Sequence, residues 1–483
     1  MIRWSNLLNL LGFFTLGLSA ALLACVGFAL ANGDEGLIPL AVSLAVGVTS
    51  GVLLILVFRL GVRTLSRREG LLLVVATWLI AALLGALPFY FSSHFPSFTD
   101  SVFESVSGFS TTGATVLADV EALPASLLLW RSLTHWLGGM GIILLGVAIL
   151  PLIGAGGREL YRAEFSGARS ERLRPRIAET ALALWKIYIA FTLAGYAALR
   201  FAGMGKFDAL CHAFSTLATG GFSTRNGSIE AFANPALEIV ILLFMVLAGI
   251  NFTRHYRLLV ERRASTFWGD VELRLYLIVI GVMTAAMTAT LVQVSEISPG
   301  ESLRLASFQV VSILTTTGFS TADFEGWSSF AQILLLVLMF VGGCTGSTAG
   351  GMKVARIGLL FRVVGREFHR LVEPHGVFAV RFGGRAIPEK TIQSLLNLVY
   401  LAFLVNFAAC LCLTALGMDV LTTISAVAAC MFNIGPGLGQ VGPAEHYGDL
   451  PAAAKWVLSI CMLAGRLEFY TLLVLFTRPF WRM

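Results

Sequence analysis

The sequence predicts an all-α polytopic membrane protein with ten transmembrane helices. Of its 483 residues 57% are hydrophobic and only 13% are charged, whereas about a quarter of the residues in a soluble domain are charged. Apolar runs of about 20 residues, the length that spans a bilayer as a helix, recur along the whole chain. Four shorter segments lie between some of these runs, and each ends in a turn of small residues. Together these observations predict one site built by four similar modules.

Ten apolar runs follow one another along the chain. They lie at about 6–31, 37–58, 71–92, 125–150, 180–203, 236–259, 273–296, 329–361, 391–416 and 452–477. The first run contains Leu22-Leu23-Ala24-Cys25, which is similar to a lipoprotein cleavage site. Because this run is too long for a signal peptide and a second run follows at once, we expect an uncleaved helix pair.

The other eight runs enclose the four short segments in a regular order. The segments are 98–116, 207–224, 302–321 and 419–438. The order of span, short helix, turn and span recurs with a period of about 100 residues, which indicates a repeated module and not a short solenoid repeat. We therefore expect an N-terminal helix pair and four pseudo-symmetric pore repeats, the third with a broken second helix. Their bounds are 1–65, 66–160, 161–265, 266–375 and 376–483.

The basic residues predict the orientation of the chain. Most of the 34 lysines and arginines fall at the termini and in the loops that join one module to the next. Since such loops stay on the cytoplasmic side, both termini are expected inside the cell, and all four short segments re-enter from outside. The opposite side is rich in acids, so we expect an acidic outer rim that raises the local cation concentration. Its members include Asp100, Glu104, Asp208, Glu325 and Asp449.

The composition also disfavours several classes of function. The seven cysteines are scattered through apolar segments without metal-type spacing, so we expect apolar fillers and neither disulfides nor metal ligands. No Ser/His/Asp cluster stands out, and we expect no enzyme activity and no organic cofactor in this chain. Because topology accounts for the basic loops, we expect a lipid bilayer as the partner of the chain and no nucleic acid.

The four turns have the residues that an ion filter needs. They read Ser110-Thr-Thr-Gly113, Ala218-Thr-Gly-Gly221, Thr315-Thr-Thr-Gly318 and Phe432-Asn-Ile-Gly435. Non-helical backbone at membrane depth must be buried in protein or line a watery cavity. Four short helices that point their partly negative C-terminal ends at one axis would present rings of carbonyl oxygens, which replace the hydration shell of a cation. Glycine is required because a Cβ would obstruct the axis.

These motifs resemble the Trk/Ktr/HKT superfamily of potassium transport proteins, most closely the bacterial TrkH/TrkG-type pore subunits. Trp136-Leu-Gly-Gly-Met-Gly141 and Gly342-Gly-Cys-Thr-Gly-Ser-Thr-Ala-Gly-Gly351 add to the resemblance, which covers the whole chain. It implies K+ as the transported ion and one filter glycine from each repeat, as in potassium-selective members. The implied filter residues are Thr111, Thr112, Gly113, Thr219, Gly220, Gly221, Thr316, Thr317, Gly318, Asn433, Ile434 and Gly435. Ala218 enters this set if the register of the second turn slips by one residue.

The run 329–361 is too long for one straight span. Five glycines interrupt it, namely Gly342, Gly343, Gly346, Gly350 and Gly351. The interruption is either a tightly packed small-residue helix or an intramembrane loop that obstructs the pore, and the resemblance implies a gating loop. Lys353 either caps the second half-helix or snorkels to the cytoplasmic edge.

Arg466 lies in the middle of the last span, and an intramembrane charge usually has a function. On a helix Glu468 would point elsewhere and is not an obvious partner. Arg466 either repels cations in the pore, holds the gating loop closed, or is a structural tie to backbone carbonyls.

We predict potassium uptake across the bacterial inner membrane through a channel-like pore. One glycine in each turn gives few carbonyl rings, so other monovalent cations should also permeate measurably. The alternatives are a potassium symporter coupled to H+ or Na+, and a weakly selective K+/Na+ pathway. A coupled carrier needs buried carboxylates or histidines, and within the spans we find mainly Glu468 and Glu238.

Regulation is expected to come from other chains. The stretches 153–179 and 362–390 are the longest on the cytoplasmic side, and both are too short for a nucleotide-binding domain. The resemblance implies a tetrameric ring of cytosolic TrkA-type nucleotide-binding subunits and a homodimer of the pore chain. The basic inner loops are candidate docking surfaces for the ring.

Overall fold

The computed structural model describes residues 2–58, 65–148, 177–294 and 297–482. The helices in these ranges are α1 (Trp4–Asn32), α2 (Leu37–Val57), α3 (Arg67–Tyr90), α4 (Phe98–Phe109), α5 (Ala125–Ala148), α6 (Ile177–Phe201), α7 (Lys206–Ala218), α8 (Pro235–Ala248), α9 (Phe252–Leu259), α10 (Ala264–Trp268), α11 (Val271–Val294), α12 (Pro299–Leu314), α13 (Ser329–Val341), α14 (Val354–Val372), α15 (Glu389–Ala415), α16 (Val420–Met431), α17 (Ala452–Arg466), α18 (Tyr470–Leu473) and α19 (Arg478–Trp481).

The described helices confirm a polytopic membrane protein. Six of them are long and apolar enough to cross a bilayer, and the number is up to eight if two bent helix pairs each count as one span. The six are α1, α2, α3, α6, α11 and α15. The total of ten spans stays a prediction.

Four short helices, α4, α7, α12 and α16, lie between longer helices in the predicted order. Side chains cap the N-termini of three of them: Ser97 accepts from the amide of Asp100, Ser298 from Glu301, and Asp419 from Thr422. These helices are buried over most of their length, whereas α2 exposes most of its apolar side chains. The short helices therefore form the centre of the protein, and α2 is suited to face lipid.

The N-terminal helix pair packs through small residues. A Cβ placed on Gly12 would lie 2.9 Å from the carbonyl oxygen of Gly51, so only glycine allows this close approach. The guanidinium of Arg3 pairs with the carboxylate of Glu69 at 2.6 Å, and Glu69 also belongs to the capping box that starts α3 at Ser66. The pair is thus attached to the N-terminal end of α3.

The apolar runs 236–259 and 452–477 do not form straight helices. The chain bends by 98° between α8 and α9, and by 110° between α17 and residues 470–476. At the first bend, the 342–353 loop supplies hydrogen bonds to the last carbonyls of α8. Thr348 Oγ1 donates to the Ala248 oxygen at 3.2 Å, and Cys344 N donates to the Gly249 oxygen at 2.9 Å. These long-range contacts replace the next helical turn and are invisible in a hydropathy pattern.

The second bend depends on backbone conformation. Glu468 and Phe469 both have positive φ angles, 56° and 53°, which non-glycine residues rarely adopt. Neither residue type signals a break, so the sequence does not predict the bend after Arg466.

The all-α prediction also missed a short antiparallel hairpin, β1 (Arg381–Phe382) and β2 (Arg385–Ala386). Its turn residues Gly383 and Gly384 have φ angles of 59° and 78°, the conformation that a two-residue hairpin turn needs. The hairpin lies within the stretch 362–390, which the sequence predicts to be cytoplasmic, whereas the stretch 153–179 lies almost wholly outside the described residues.

Candidate functional site

All four short helices end in the same backbone motif. In each turn the amide of the residue before the filter glycine bonds to a carbonyl five residues earlier, as in a Schellman motif. These bonds are Thr112–Ser107 at 2.9 Å, Gly220–Ser215 at 2.8 Å, Thr317–Ser312 at 2.9 Å and Ile434–Ala429 at 2.8 Å. The preceding residue is left-handed in every turn, with φ of 55° at Thr111, 54° at Thr219, 58° at Thr316 and 57° at Asn433. This match aligns Ala218 with Ser110, Thr315 and Phe432, one position before the predicted filter set.

The four glycines predicted to form the filter lie against one another in a closed ring. Their φ angles are 84° at Gly113, 83° at Gly221, 81° at Gly318 and 105° at Gly435. A Cβ on Gly113 would lie 2.1 Å from the oxygen of Gly220, and one on Gly221 would lie 2.0 Å from that of Thr317. A Cβ on Gly318 would lie 1.9 Å from the oxygen of Ile434, and one on Gly435 would lie 2.7 Å from that of Thr112, which closes the ring. Each glycine therefore packs on the carbonyl that precedes the next one, and only glycine fits at this distance.

The same four glycines line one cavity of about 110 Å³. Its walls also include Arg225, Glu445 and His446 from the outer loops. The predicted filter glycines are thus together at the floor of a polar vestibule. Among the described residues no cluster of His, Cys, Asp or Glu with metal-binding geometry is found, so backbone oxygens are the ligands that this site offers.

The hydroxyl groups divide the turns into two kinds. In the first turn Ser110 Oγ and Thr112 Oγ1 lie 2.7 Å apart, and in the third turn Thr315 Oγ1 and Thr317 Oγ1 lie 2.8 Å apart. At these two positions the second turn has Ala218 and Gly220, and the fourth turn has Phe432 and Ile434. The hydroxyl pair is therefore found only in the first and third of the four turns.

Sequence reasoning placed Glu104 on an acidic outer rim, and this was wrong. Glu104 is fully buried behind the first turn, where its carboxylate lies 2.5 Å from Arg131 Nε. It accepts hydrogen bonds from Thr115 Oγ1 and Val116 N, both at 3.0 Å. Arg131 in turn donates to the Ser223 oxygen at 3.0 Å, so one buried ion pair connects the segments that follow the first and second filter glycines.

Asp100 is the second acid that does not belong to the rim. It is buried, and its carboxylate lies 2.5 Å from Lys455 Nζ, which comes from α17. Partners this distant in the chain cannot be found from the sequence. The position of these two acids on a short helix with no other charged residue was the only signal of burial.

Other acids of the predicted rim lie near the loops that follow the first two turns, where they contact neighbouring polar side chains. The Asn226 amide donates to Asp119 at 2.9 Å and holds the pKa of that carboxyl below its usual value. Arg225 lies between Glu121 and Asp208, at 3.2 and 3.4 Å. These contacts join the outer loops of the first and second repeats, so part of the acidity that the sequence suggested is neutralised.

The glycine-rich interruption is a loop between α13 and α14. Gly342, Gly346 and Gly351 have φ angles of 80°, 72° and 75°, and Lys353 has 77°. A Cβ on Gly342 would lie 2.6 Å from the Gly350 oxygen, and one on Gly343 would lie 2.7 Å from the Ala349 Cβ, so the loop folds closely on itself. Of the two structures that the sequence allows for residues 342–351, the tightly packed helix is therefore excluded.

The loop lies against the filter turns. Gly350 N donates to Thr316 Oγ1 at 2.6 Å in the third turn, and Gly351 N donates to the Phe432 oxygen at 3.2 Å in the fourth. Lys353 Nζ donates to the Ala349 oxygen, so this ammonium group is turned toward the loop itself. The loop thus contacts two of the four turns directly.

Arg466 connects the loop to α5. It is 2% exposed, and its guanidinium donates to the oxygens of Thr348, at 3.0 Å, and Gly138, at 3.2 Å. Arg466 is therefore a tie to backbone carbonyls, and one of these carbonyls belongs to the loop. Glu468 forms an ion pair with Arg356 of α14 at 3.0 Å, which agrees with the expectation that it is not the partner of Arg466.

Comparison with known proteins agrees with this geometry. The family model described as TrkH, cation transport protein, matches residues 51–481. The chain belongs to the TrkH family. The TrkH family prediction from the motifs is thus confirmed.

Curated members of the TrkH family are similar over most of their length. The Trk system potassium uptake protein TrkH of Salmonella typhimurium is 45% identical over 425 residues, which are 86% of this chain and 87% of that protein. TrkH of Vibrio parahaemolyticus is 40% identical over 488 residues, with 100% of both chains covered. The crystal structure of the potassium transporter TrkH from Vibrio parahaemolyticus superposes with a TM-score of 0.92 at 39% identity, again over 100% of both chains.

Proposed function

We propose that this chain carries potassium into the cell through a pore whose selective element is the ring of four glycines. The observation that carries the proposal is the closed ring of contacts. In this ring each glycine packs against the carbonyl of the residue that precedes the next glycine. Such a ring supplies oxygen ligands at one level on one axis, which suits a dehydrated monovalent cation. Relatives that are 35–45% identical are named Trk system potassium uptake proteins, which supports K+ as the ion.

In this proposal the filter residues are those of the sequence prediction, and the repeats are pseudo-equivalent. The shared left-handed residue and the shared hydrogen bond of each turn support the equivalence. We also keep the division into a helix pair, residues 1–65, and four pore repeats with ten spans and both termini in the cytoplasm.

A pore is favoured over an ion-coupled symporter. In the described part of the chain, buried acids such as Glu104 and Glu238 have cationic partners, Arg131 and Arg304. A carboxylate already neutralised by a fixed cation is poorly suited to bind and release a coupling ion. A weakly selective K+/Na+ pathway remains the second candidate, because the second and fourth turns lack the paired hydroxyls of the others.

We further propose that the 342–353 loop is the gate and that Arg466 holds it closed. The loop contacts Thr316 and Phe432 beside the filter, and Arg466 binds its Thr348 oxygen. A cytosolic TrkA-type ring would move this gate through α14, which follows the loop directly. The homodimer and the ring are expectations from family resemblance.

The test is ion flux through the purified protein in vesicles with K+ on one side and Na+ on the other. We expect a reversal potential that favours K+ but shows measurable Na+ permeation. Flux should persist without any H+ or Na+ gradient. A reversal potential without potassium preference would contradict the filter, and flux that stops without an H+ or Na+ gradient would support the symporter.

A further inference from the structure

Tyr447 lies in the outer segment that follows the fourth turn, and it contacts the filter directly. It is 2% exposed, and its hydroxyl donates to the carbonyl oxygen of Gly435, the fourth filter glycine, at 2.7 Å. Its backbone amide donates to the Thr115 oxygen at 2.8 Å, two residues beyond the first filter glycine. The ring packs 5.4 Å from that of Phe103 on α4. One side chain thus fixes the fourth filter segment against the first repeat.

The Tyr447 segment is itself held in place. Lys455 Nζ donates to the oxygen of Gly448, the next residue, at 2.7 Å, and it pairs with Asp100 of α4. Lys455 and Asp100 are both buried, and a buried ion pair with further hydrogen bonds keeps a defined geometry. The tyrosine hydroxyl is therefore presented to Gly435 by a rigid support.

The other three filter glycines lack this contact. Within the described ranges, no hydrogen bond reaches the carbonyl oxygens of Gly113, Gly221 or Gly318. The fourth turn also lacks the paired hydroxyls found in the first and third turns. The external hydrogen bond is thus found at one of the two turns that lack a hydroxyl pair.

We propose that Tyr447 is a positioning residue that determines the potassium-over-sodium preference by fixing the orientation of the fourth filter carbonyl. The inference rests on the proposed function, since it needs the four glycines to be the filter. A carbonyl held from outside by a hydroxyl group cannot tilt inward to contact a smaller ion. When the hydroxyl is absent, the fourth segment is free to close around Na+, and discrimination falls.

The test compares Tyr447→Phe with Tyr188→Phe by bi-ionic reversal potentials in vesicles. Tyr188 is a matched control, because it is also fully buried and its hydroxyl donates to a backbone carbonyl, that of Trp136, at 3.1 Å. We expect the K+/Na+ permeability ratio of Tyr447→Phe to fall about fivefold, as for the loss of one neutral hydrogen bond, with K+ flux retained. Tyr188→Phe should keep the wild-type ratio.

An unchanged ratio in Tyr447→Phe, or an equal fall in Tyr188→Phe, overturns the inference while leaving the proposed function intact. A wild-type protein without potassium preference contradicts the proposed function, and the inference falls with it. If Tyr447→Phe is not recovered as monodisperse protein, Phe103→Leu replaces it, since this change loosens the same tyrosine ring. The ratio of Phe103→Leu should fall in the same direction, and an unchanged ratio there overturns the inference.

Discussion

The third and fourth turns reach the same backbone conformation by different means. The third turn supports itself: Thr315 and Thr317 pair their hydroxyls, and Ser312 Oγ donates to the Phe319 oxygen at 2.6 Å. The fourth turn has Ile434 where the third has Thr317, and its side-chain contacts reach other elements. The end of the short helix and the glycine that follows it therefore determine the backbone conformation of each turn. The side chains that stabilise this conformation can be local or distant.

Asn433 provides the distant contacts of the fourth turn. Its amide nitrogen donates to Thr112 Oγ1 in the first turn and to the Met462 oxygen of α17, both at 3.0 Å. Because one amide connects three elements, the fourth turn is coupled to its neighbours more strongly than the third. The comparison predicts that similar mutations in the two turns have different consequences.

The largest effect is expected for Gly318→Ala in the third turn. A methyl group there would lie 1.9 Å from the Ile434 oxygen, and the φ of 81° is unfavourable for alanine. We expect potassium flux to fall on the order of 100-fold, measured as 86Rb+ or K+ uptake by vesicles containing equal amounts of protein. Gly326→Ala is the control, since nothing lies within 4 Å of its Cβ position.

Gly435→Ala sharpens this comparison. The nearest oxygen to a methyl group there, that of Thr112, is 2.7 Å away, so the clash is smaller than at Gly318. We expect a smaller loss of flux than for Gly318→Ala in the same assay. Equal or greater loss would mean that the two turns do not differ in the way their packing indicates.

The next effect concerns the loop that contacts both turns. Arg466→Ala removes two charge-assisted hydrogen bonds, to Thr348 and Gly138, and should release the loop. Basal flux in the absence of any cytosolic partner should rise about tenfold, as measured by vesicle uptake. Arg200→Ala, which removes an arginine bonded to the Met204 oxygen far from the loop, should leave basal flux unchanged. Unchanged or lower flux in well-folded Arg466→Ala would exclude the proposed gate.

The smallest effect is on stability and differs between the turns. Asn433→Leu removes two hydrogen bonds and should lower the free energy of unfolding by about 2 kcal/mol, whereas Thr317→Val removes one and should cost about 1 kcal/mol. The difference is measured by thermal unfolding of the two purified variants, with the folded fraction monitored by size-exclusion chromatography. A greater loss in Thr317→Val would reverse the comparison.

The sequence predicts the turns well because their signal is local and repeated. Gly113 and Gly318 each follow two threonines and close a short apolar segment, and four such turns at one place in each module leave few other interpretations. The loop at 342–351 was predictable for the same reason, since a helix does not tolerate five glycines.

Contacts between distant residues could not be predicted. The pairing of Glu104 with Arg131 and the hydrogen bond of Tyr447 to Gly435 depend on how the repeats pack, and neither has a local pattern. The breaks after Ala248 and Arg466 were missed because apolar composition continues through them. The repeated elements were therefore visible in the sequence, whereas the side chains that join one repeat to another were not.

The central claim, that four turns form one cation site, is tested most directly by anomalous diffraction from crystals grown with Tl+ or Rb+ in place of K+. The account predicts an anomalous peak on the axis among the carbonyl oxygens of Thr112, Gly220, Thr317 and Ile434, with K+ competing for it and Na+ competing less well. A peak confined to the acids of the outer loops, with none among these four oxygens, would contradict it.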